Sequence, residues 1–277
     1  MKKNKLSILK KEFSIYGIDG YIIPKNDEFF GEYVNPSNER LKYLTGFSGS
    51  VGQALVLKKK AFLFVDGRYT LQAQKETKKG FKVVEIHKTK PSELLRKNKK
   101  KLIIGFDPKL YTQAILTNLF TSKNVKLIPI KINLIDKIWS GKPKPKFYKF
   151  FILKTQYVGQ SYKQKINLIC NILKKINLKN LLITAPENVA WLLNIRGKDS
   201  SYSPIPNCNA IINYKKTVTL IVKNNKISKN FKFHFGKNLK YLNPSNIIKY
   251  FNSLNSNESF LIDKITCSLF YKEKIAK

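Results

Sequence analysis

Two tandem α/β domains with mixed sheets are what this sequence predicts, on three observations. The chain has 277 residues, more than a single domain usually holds. Segments of helical and of strand-like patterning alternate along it, as in layered α/β domains. Sliding the sequence by 156 residues lays ALVLKKKAFLFV from Ala54 over AIINYKKTVTLI from Ala210 without a gap. The elements ahead of each hairpin also come in the same order, so the second half repeats the first.

Residues 6–16 carry apolar side chains at helical spacing, and Gly17 closes the helix before 19–24, DGYIIP, a buried strand. After a loop with Asn35-Pro36, a helix is expected over 37–44 with Ser37 as its N-cap. TGFSGSVG, 45–52, lacks both the glycine-lysine-Ser/Thr ending of a P-loop and the G-x-G-x-x-G spacing of a dinucleotide site, so it reads as a tight turn. Segments 54–57 and 61–65 flank three lysines as a hairpin, and DGRY, 66–69, opens a helix running to about Lys78. A strand at 83–86, a helix at 91–97, a strand at 102–106, a helix from Asp107-Pro108 to Phe120 and a strand at 125–130 complete a first domain, 1–131.

Residues 132–150 contain NLIDKIW and the proline-bearing GKPKPK, and read as a linker. The second domain, 151–277, has an amphipathic helix at 161–176, a strand at 181–183, a hairpin at 210–213 and 217–222, and a strand at 260–263. Between them, ENVAWLLNIRGKDSSYSPIPNCNAII sets an apolar helix against a polar turn. Ala190, Trp191, Leu192, Leu193 and Ile195 read as the buried helix and Gly197 as its left-handed cap, with Asn194, Arg196 and Asp199 gathered at that end.

The formal charge of +36 invites a nucleic-acid reading through phosphate neutralisation. Against it, only Arg40, Arg68, Arg96 and Arg196 among 53 basic residues are arginine, the residue suited to bidentate phosphate and base contacts. The lysines are spread along the chain among many Asn and Ile, and no helix-turn-helix, zinc-finger or RNA-recognition signature is present. No specific nucleic acid is therefore expected. No apolar run approaches the roughly 20 residues that span a bilayer, so no membrane is expected either, and the basic start MKKNKLSILKKEF reads as an amphipathic helix. The expected setting is cytoplasmic. Cys170, Cys208 and Cys267 are odd in number and widely spaced, which indicates neither a disulfide framework nor a zinc cluster. His87 and His234 each stand among lysines without a carboxylate-ligand motif, and no nucleophile elbow is present.

GYIIP, EYVNPSNERLKYLTGFSGSVGQA, VDGRYTLQA, IGFDP, LIPIKINLIDKIW, YVGQSYKQK and ENVAWLLNIRGKDSSYSPIP occur in this order up to about Ile221. In these segments the chain resembles the two amino-terminal domains of the aminopeptidase P (Xaa-Pro aminopeptidase) family, metal-dependent enzymes that remove an N-terminal residue preceding proline. The resemblance implies two creatinase N-terminal-like, ribonuclease H-like domains. It also implies that the family's catalytic "pita-bread" domain, with its two divalent metal ions, manganese being the expected one, is absent from this sequence. No cofactor, metal ligand or catalytic residue is then expected in the chain, which should be inactive alone. By the DGRY match, Arg68 is assigned to substrate binding, with Asn194 and Arg196 as secondary candidates. Implied partners are a C-terminal catalytic chain or a second copy, and a proline-containing peptide. Two other classes stay open: a stand-alone peptide or protein binding module, and a basic nucleic-acid binder.

Overall fold

A computed structural model describes residues 4–96 and 100–276; the start of the basic N-terminal segment at 1–3, the expected helix end at Lys97 and the last residue lie outside them. Contacts divide the chain into two units, Met1–Glu28 with Pro36–Lys144, and Phe29–Asn35 with Pro145–Lys277.

The first unit runs α1 (Lys5–Ile15), β1 (Gly20–Pro24), α2 (Arg40–Thr45), β2 (Gly52–Leu57), β3 (Ala61–Val65), α3 (Thr70–Glu76), β4 (Lys82–Glu85), α4 (Pro91–Arg96), β5 (Leu102–Phe106), α5 (Gln113–Leu119), β6 (Val125–Pro129) and α6 (Leu134–Ile138). Its sheet has the order β4-β3-β2-β1-β5-β6. β2 is antiparallel to both neighbours and every other pair is parallel. Every residue of β1 and β3 is buried, as expected of strands covered on both faces. Alternation sends Tyr21, Ile23, Ala54, Val56, Leu63 and Val65 into one core with Leu9 and Phe13 of α1 and Leu41 and Leu44 of α2. Within the stretch 132–150, Asn133 caps α6 by accepting from Ile135 N at 3.0 Å and Asp136 N at 3.2 Å, and Leu134 and Ile135 are buried in that same core.

Two helix starts differ from the sequence expectation. Ser37 does not cap α2: Pro36–Asn38 is a separate 3-10 turn, tied down by Asn38 Nδ2 donating to Asp27 at 3.2 Å, and α2 begins at Arg40. Asp107-Pro108 does not open α5. Asp107 Oδ1 accepts from Lys109 N at 2.9 Å in a local turn, and α5 starts at Gln113, capped by Thr112. In both places a short polar side chain bonds to nearby groups and postpones the helix.

The second unit runs β7 (Phe151–Ile152), α7 (Thr155–Val158), α8 (Tyr162–Lys175), β8 (Asn180–Ile183), α9 (Pro186–Leu193), β9 (Ile195–Arg196), β10 (Asn209–Asn213), β11 (Val218–Ile221), α10 (Lys229–Phe235), β12 (Leu239–Leu242), α11 (Ile247–Asn252), β13 (Phe260–Ile262) and α12 (Leu269–Ile275). Its sheet has the order β12-β11-β10-β8-β13. β10 is antiparallel to both neighbours and the outer pairs are parallel. Strand for strand, this repeats β4-β3-β2-β1-β5, so the two sheets share one topology. Ser161 and Gln164 close a capping box at the start of α8. Residues of α8, α9 and α10 cover one face of this sheet, and residues of α11 and α12 the other.

Gly197 is not the cap of α9. The helix ends at Leu193, and Asn194 takes the left-handed conformation at φ 54°, ψ 38°. Asparagine visits that region more readily than other residues with a Cβ. Ile195 consequently leaves the helix and pairs in β9 with Ile152 of β7. Gly197 is required for a different reason, since a Cβ there would meet Pro206 Cα at 2.7 Å. Among the described residues no helix is long and apolar enough to cross a membrane.

Candidate substrate-binding site

In the first unit, β1, β3, β4, β5 and β6 point the same way, and the carboxyl edge of such a sheet is where open α/β folds hold ligands. β3 delivers Asp66 to that edge, where the chain turns through Gly67–Tyr69 into α3. Asp66 Oδ1 accepts from Arg68 N at 3.0 Å and from Arg68 Nε at 2.9 Å, and Oδ2 accepts from Arg68 Nη2 at 3.4 Å. His87, just past β4, stands with Nε2 3.6 Å from Asp66 Oδ2. Hydrogen bonds from the Arg68 side chain and backbone hold the Asp66 carboxyl down at about 2, so it stays charged at neutral pH. The Arg68 side chain is 72% exposed; Asp66 holds its Nε and Nη2, and the guanidinium carbon lies 5.6 Å from the centre of the Tyr69 ring.

The glycine-rich loop is a wall of this site. Glu76 accepts from Ser48 N at 2.7 Å, Ser48 Oγ at 2.9 Å and Gln72 Nε2 at 3.0 Å. Burial raises the Glu76 carboxyl, but the bonds from Gln72 and Ser48 outweigh it and hold the group below its usual range. Ser50 Oγ and Tyr69 Oη share a hydrogen bond of 2.7 Å. Only glycine fits between them, because a Cβ at Gly49 would lie 2.2 Å from the Phe47 ring and 2.9 Å from the Tyr69 ring. Asp66 was legible from sequence as the residue opening the DGRY turn. Glu76 was not, since its partner Ser48 lies 28 residues away.

Asn194 and Arg196 lie in the second unit, at the end of α9. Asn194 is buried; its Nδ2 donates to Gln160 O at 2.9 Å and its Oδ1 accepts from Lys165 Nζ at 2.7 Å. Arg196 Nη1 donates to Ala190 O at 3.2 Å, which also accepts from Asn194 N, and to Ile195 O of β9 at 2.8 Å. Asp199 is buried and accepts from Lys226 Nζ at 2.6 Å and Asn207 N at 2.7 Å. These polar groups brace the turn, so the structure makes Asn194 a capping residue and leaves Arg196 only part of its donor set.

A dinuclear metal centre needs several hard ligands converging on each ion. Among the described residues no group of three or more His, Cys, Asp and Glu is placed to hold a metal. His87 faces one carboxylate that Arg68 already engages, while His234 packs beside the rings of Tyr162 and Phe235 at 5.4 and 4.9 Å. The residues present do not fit the group.

Sequence models of the creatinase/prolidase N-terminal domain match the chain twice, over residues 5–138 and 141–277. The chain belongs to the creatinase/prolidase N-terminal domain family. It is 29% identical over 273 residues to the probable Xaa-Pro aminopeptidase P of Coprinopsis cinerea, an alignment covering 93% of this chain and 42% of that relative. It is 29% identical over 243 residues to aminopeptidase P1 of Lotus japonicus, covering 85% of this chain and 37% of the relative. Among solved structures, the X-prolyl aminopeptidase of Caenorhabditis elegans, described as a cytosolic enzyme with a di-nuclear active site, matches with a TM-score of 0.83 at 25% identity. That match covers 93% of this chain and 46% of the C. elegans chain. The chain therefore spans less than half the length of these relatives, and within it the family's domain occurs as the tandem pair.

Proposed function

We propose that this chain is the substrate-side, non-catalytic part of a metal-dependent Xaa-Pro aminopeptidase, working in the cytoplasm. Arg68 is its peptide-binding residue. The observation that carries this reading is the Arg68 guanidinium, presented at the carboxyl edge of the first sheet and held by Asp66 on one side only. A guanidinium is charged at every working pH, and its free edge can donate to a peptide carbonyl or carboxylate. Asp66 fixes the direction in which those donors point, and the loop at Ser48 and Ser50 keeps the turn behind Arg68 from moving. Any divalent metal ions would have to be held by residues outside this sequence, where they would lower the pKa of a bound water. Asn194 and Arg196 shape the second unit, and Arg196 offers only the donors that Ala190 O and Ile195 O leave unused. The length of the relatives beyond the matched region supports placing the metals elsewhere.

The test is an Xaa-Pro peptidase assay with added manganese, run with and without the polypeptide encoded downstream of this sequence. Activity is expected only in the mixture, and turnover by this chain alone would overturn the reading. In the active mixture, Arg68→Ala should lower kcat/KM by at least tenfold while leaving the thermal midpoint of this chain unchanged.

A further inference from the structure

The 156-residue repeat continues past the hairpins to the far edge of each sheet. Just beyond β13, Asp263 Oδ1 accepts from Ile265 N at 2.9 Å, as Asp107 Oδ1 accepts from Lys109 N at 2.9 Å just beyond β5. Ser268 then stands at the N-cap of α12, as Thr112 does at that of α5. By the same spacing α11 repeats α4. In the first unit the next strand is β6, which lies parallel on the outer edge of β5 from Leu102 opposite Val125 to Phe106 opposite Pro129. In the second unit β13 is the edge of the sheet among the described residues.

The backbone and the side chains of β13 both register that difference. Ser259 O accepts from Asn180 N at 3.0 Å on the β8 side, so alternation along the strand turns the N–H and C=O of Phe260 and Ile262 to the open edge. Ile104 and Phe106 of β5 are 0% and 3% exposed, whereas their equivalents Phe260 and Ile262 are only partly buried, and Leu261 between them is 37% exposed. Where β6 begins, Leu102 N donates to Asn124 O at 2.8 Å and Asn124 Nδ2 donates to Arg96 O at 3.5 Å, so the arriving strand joins the start of β5 to the end of α4. The same place in the second unit, between the ends of α11 and α12 and the start of β13, is a cavity of about 370 Å³. Phe251, Leu254, Phe260 and Ile275 give it apolar walls, and Glu258 and Lys274 stand among its polar residues.

We propose that the outer edge of β13 is a strand-docking surface, filled by a parallel strand at the amino-terminal end of the catalytic polypeptide. Main-chain hydrogen bonds to Phe260 and Ile262 give the strand its affinity, and the cavity selects an apolar side chain at its start. The amino-terminal position follows from the first unit, where residues 120–124 alone separate β6 from α5. A second copy of this chain suits the edge less well, because two-fold symmetry sets identical edge strands antiparallel, whereas β6 runs parallel to β5. The proposal rests on the reading of this chain as the non-catalytic part of an aminopeptidase and adds where the other part joins it.

The test mixes the full chain with the polypeptide encoded downstream and follows binding by calorimetry and by amide hydrogen exchange. Binding should slow exchange at Phe260 and Ile262, while Leu261, already paired with β8, changes little. Ile262→Pro removes an outward N–H without touching the β8 ladder, and should weaken binding by roughly tenfold. Leu261→Lys leaves the backbone intact, places on the edge a residue that discourages strand addition, and should weaken binding too. Binding that both variants leave intact, with no slowing at Phe260 and Ile262, overturns the docking edge and leaves the aminopeptidase reading in place. Slowing of these two amides in the chain alone as its concentration rises gives the edge to a second copy and overturns the proposal. Neither binding nor activity in the mixture overturns the aminopeptidase reading and this proposal with it.

Discussion

Asp66 shows how one carboxylate can set the direction of a neighbouring cation at an exposed position. Arg68 draws the Asp66 carboxyl down to about 2, from the roughly 3.9 of an unperturbed aspartate. A depressed carboxyl pKa means that the pairing is fully present above about pH 4 and is lost as pH falls towards 2. Carbon-detected titration of the Asp66 carboxyl should therefore show a midpoint near 2 in the parent and a rise towards 3.9 in Arg68→Ala. An unshifted midpoint in that variant would mean that Asp66 does not hold the guanidinium. Asp66→Asn should leave the charge of Arg68 intact yet free its direction, so in the active mixture KM should rise more than kcat falls. Both residues were legible in the motif DGRY. What the motif did not contain is the wall beside them, because the bonds of Glu76 and Tyr69 to the glycine-rich loop join positions far apart in sequence.

At the scale of single elements, two joints decide how helices sit on their sheets. The first is Arg40 on α2, which donates from Nε and Nη2 to the two oxygens of Asp136 on α6, each at 2.9 Å, and from Nη2 to Glu28 at 2.6 Å. Burial raises the Asp136 carboxyl, but Arg40 and Lys142 outweigh it and hold the group below its ordinary value. Arg40→Met should destabilise the chain by about 2–3 kcal/mol in urea unfolding, less than for a fully buried pair because both carboxylates keep some contact with water. Since the folded pKa of Asp136 is depressed, the contribution of this pair is present above the ordinary carboxylate range and fades below it. The acid limb of the parent's stability curve should accordingly be steeper than that of Arg40→Met.

The second joint is Asn194. Its left-handed backbone and its bonds to Gln160 and Lys165 lock the end of α9 to α8. Asn194→Gly keeps the backbone conformation and loses only the amide, whereas Asn194→Ala loses both. Alanine should therefore cost about 1–2 kcal/mol more than glycine in the same assay, the price of a Cβ in the left-handed region. Equal losses would assign the joint to the side chain alone. Sequence placed the helix here but chose Gly197 as its cap, since glycine is the commonest residue in that role. The choice of Asn194 followed from Lys165 reaching across from α8, which local pattern does not contain.

Over the whole molecule the duplication is the main feature, two sheets of one topology built from sequences whose clearest shared mark is a hairpin. The net charge of +36 acts at this scale too. With lysine dispersed over both halves, association with DNA should be independent of base sequence and should fall steeply between 50 and 200 mM salt, roughly as counterion release requires. Retention on one particular duplex at the higher salt would contradict that. Cys170, Cys208 and Cys267 are all buried and free, so the folded chain carries no disulfide between them.

The short strands β7 and β9 and the edge strand β12 were not expected from the sequence, whereas most strands, the hairpins, the amphipathic helix α8 and the tandem repeat were determined by it alone. Each is written in residues close together, as apolar periods of two or about 3.6 and as cap residues at fixed offsets. Tertiary structure alone decided that Asn194 ends and braces α9, that Glu76 closes on the glycine-rich loop, and that Arg40 ties α2 to α6. Those outcomes depend on hydrogen bonds and strand register between residues far apart in the chain, and such energies have no local signature until the sheet has brought the partners together.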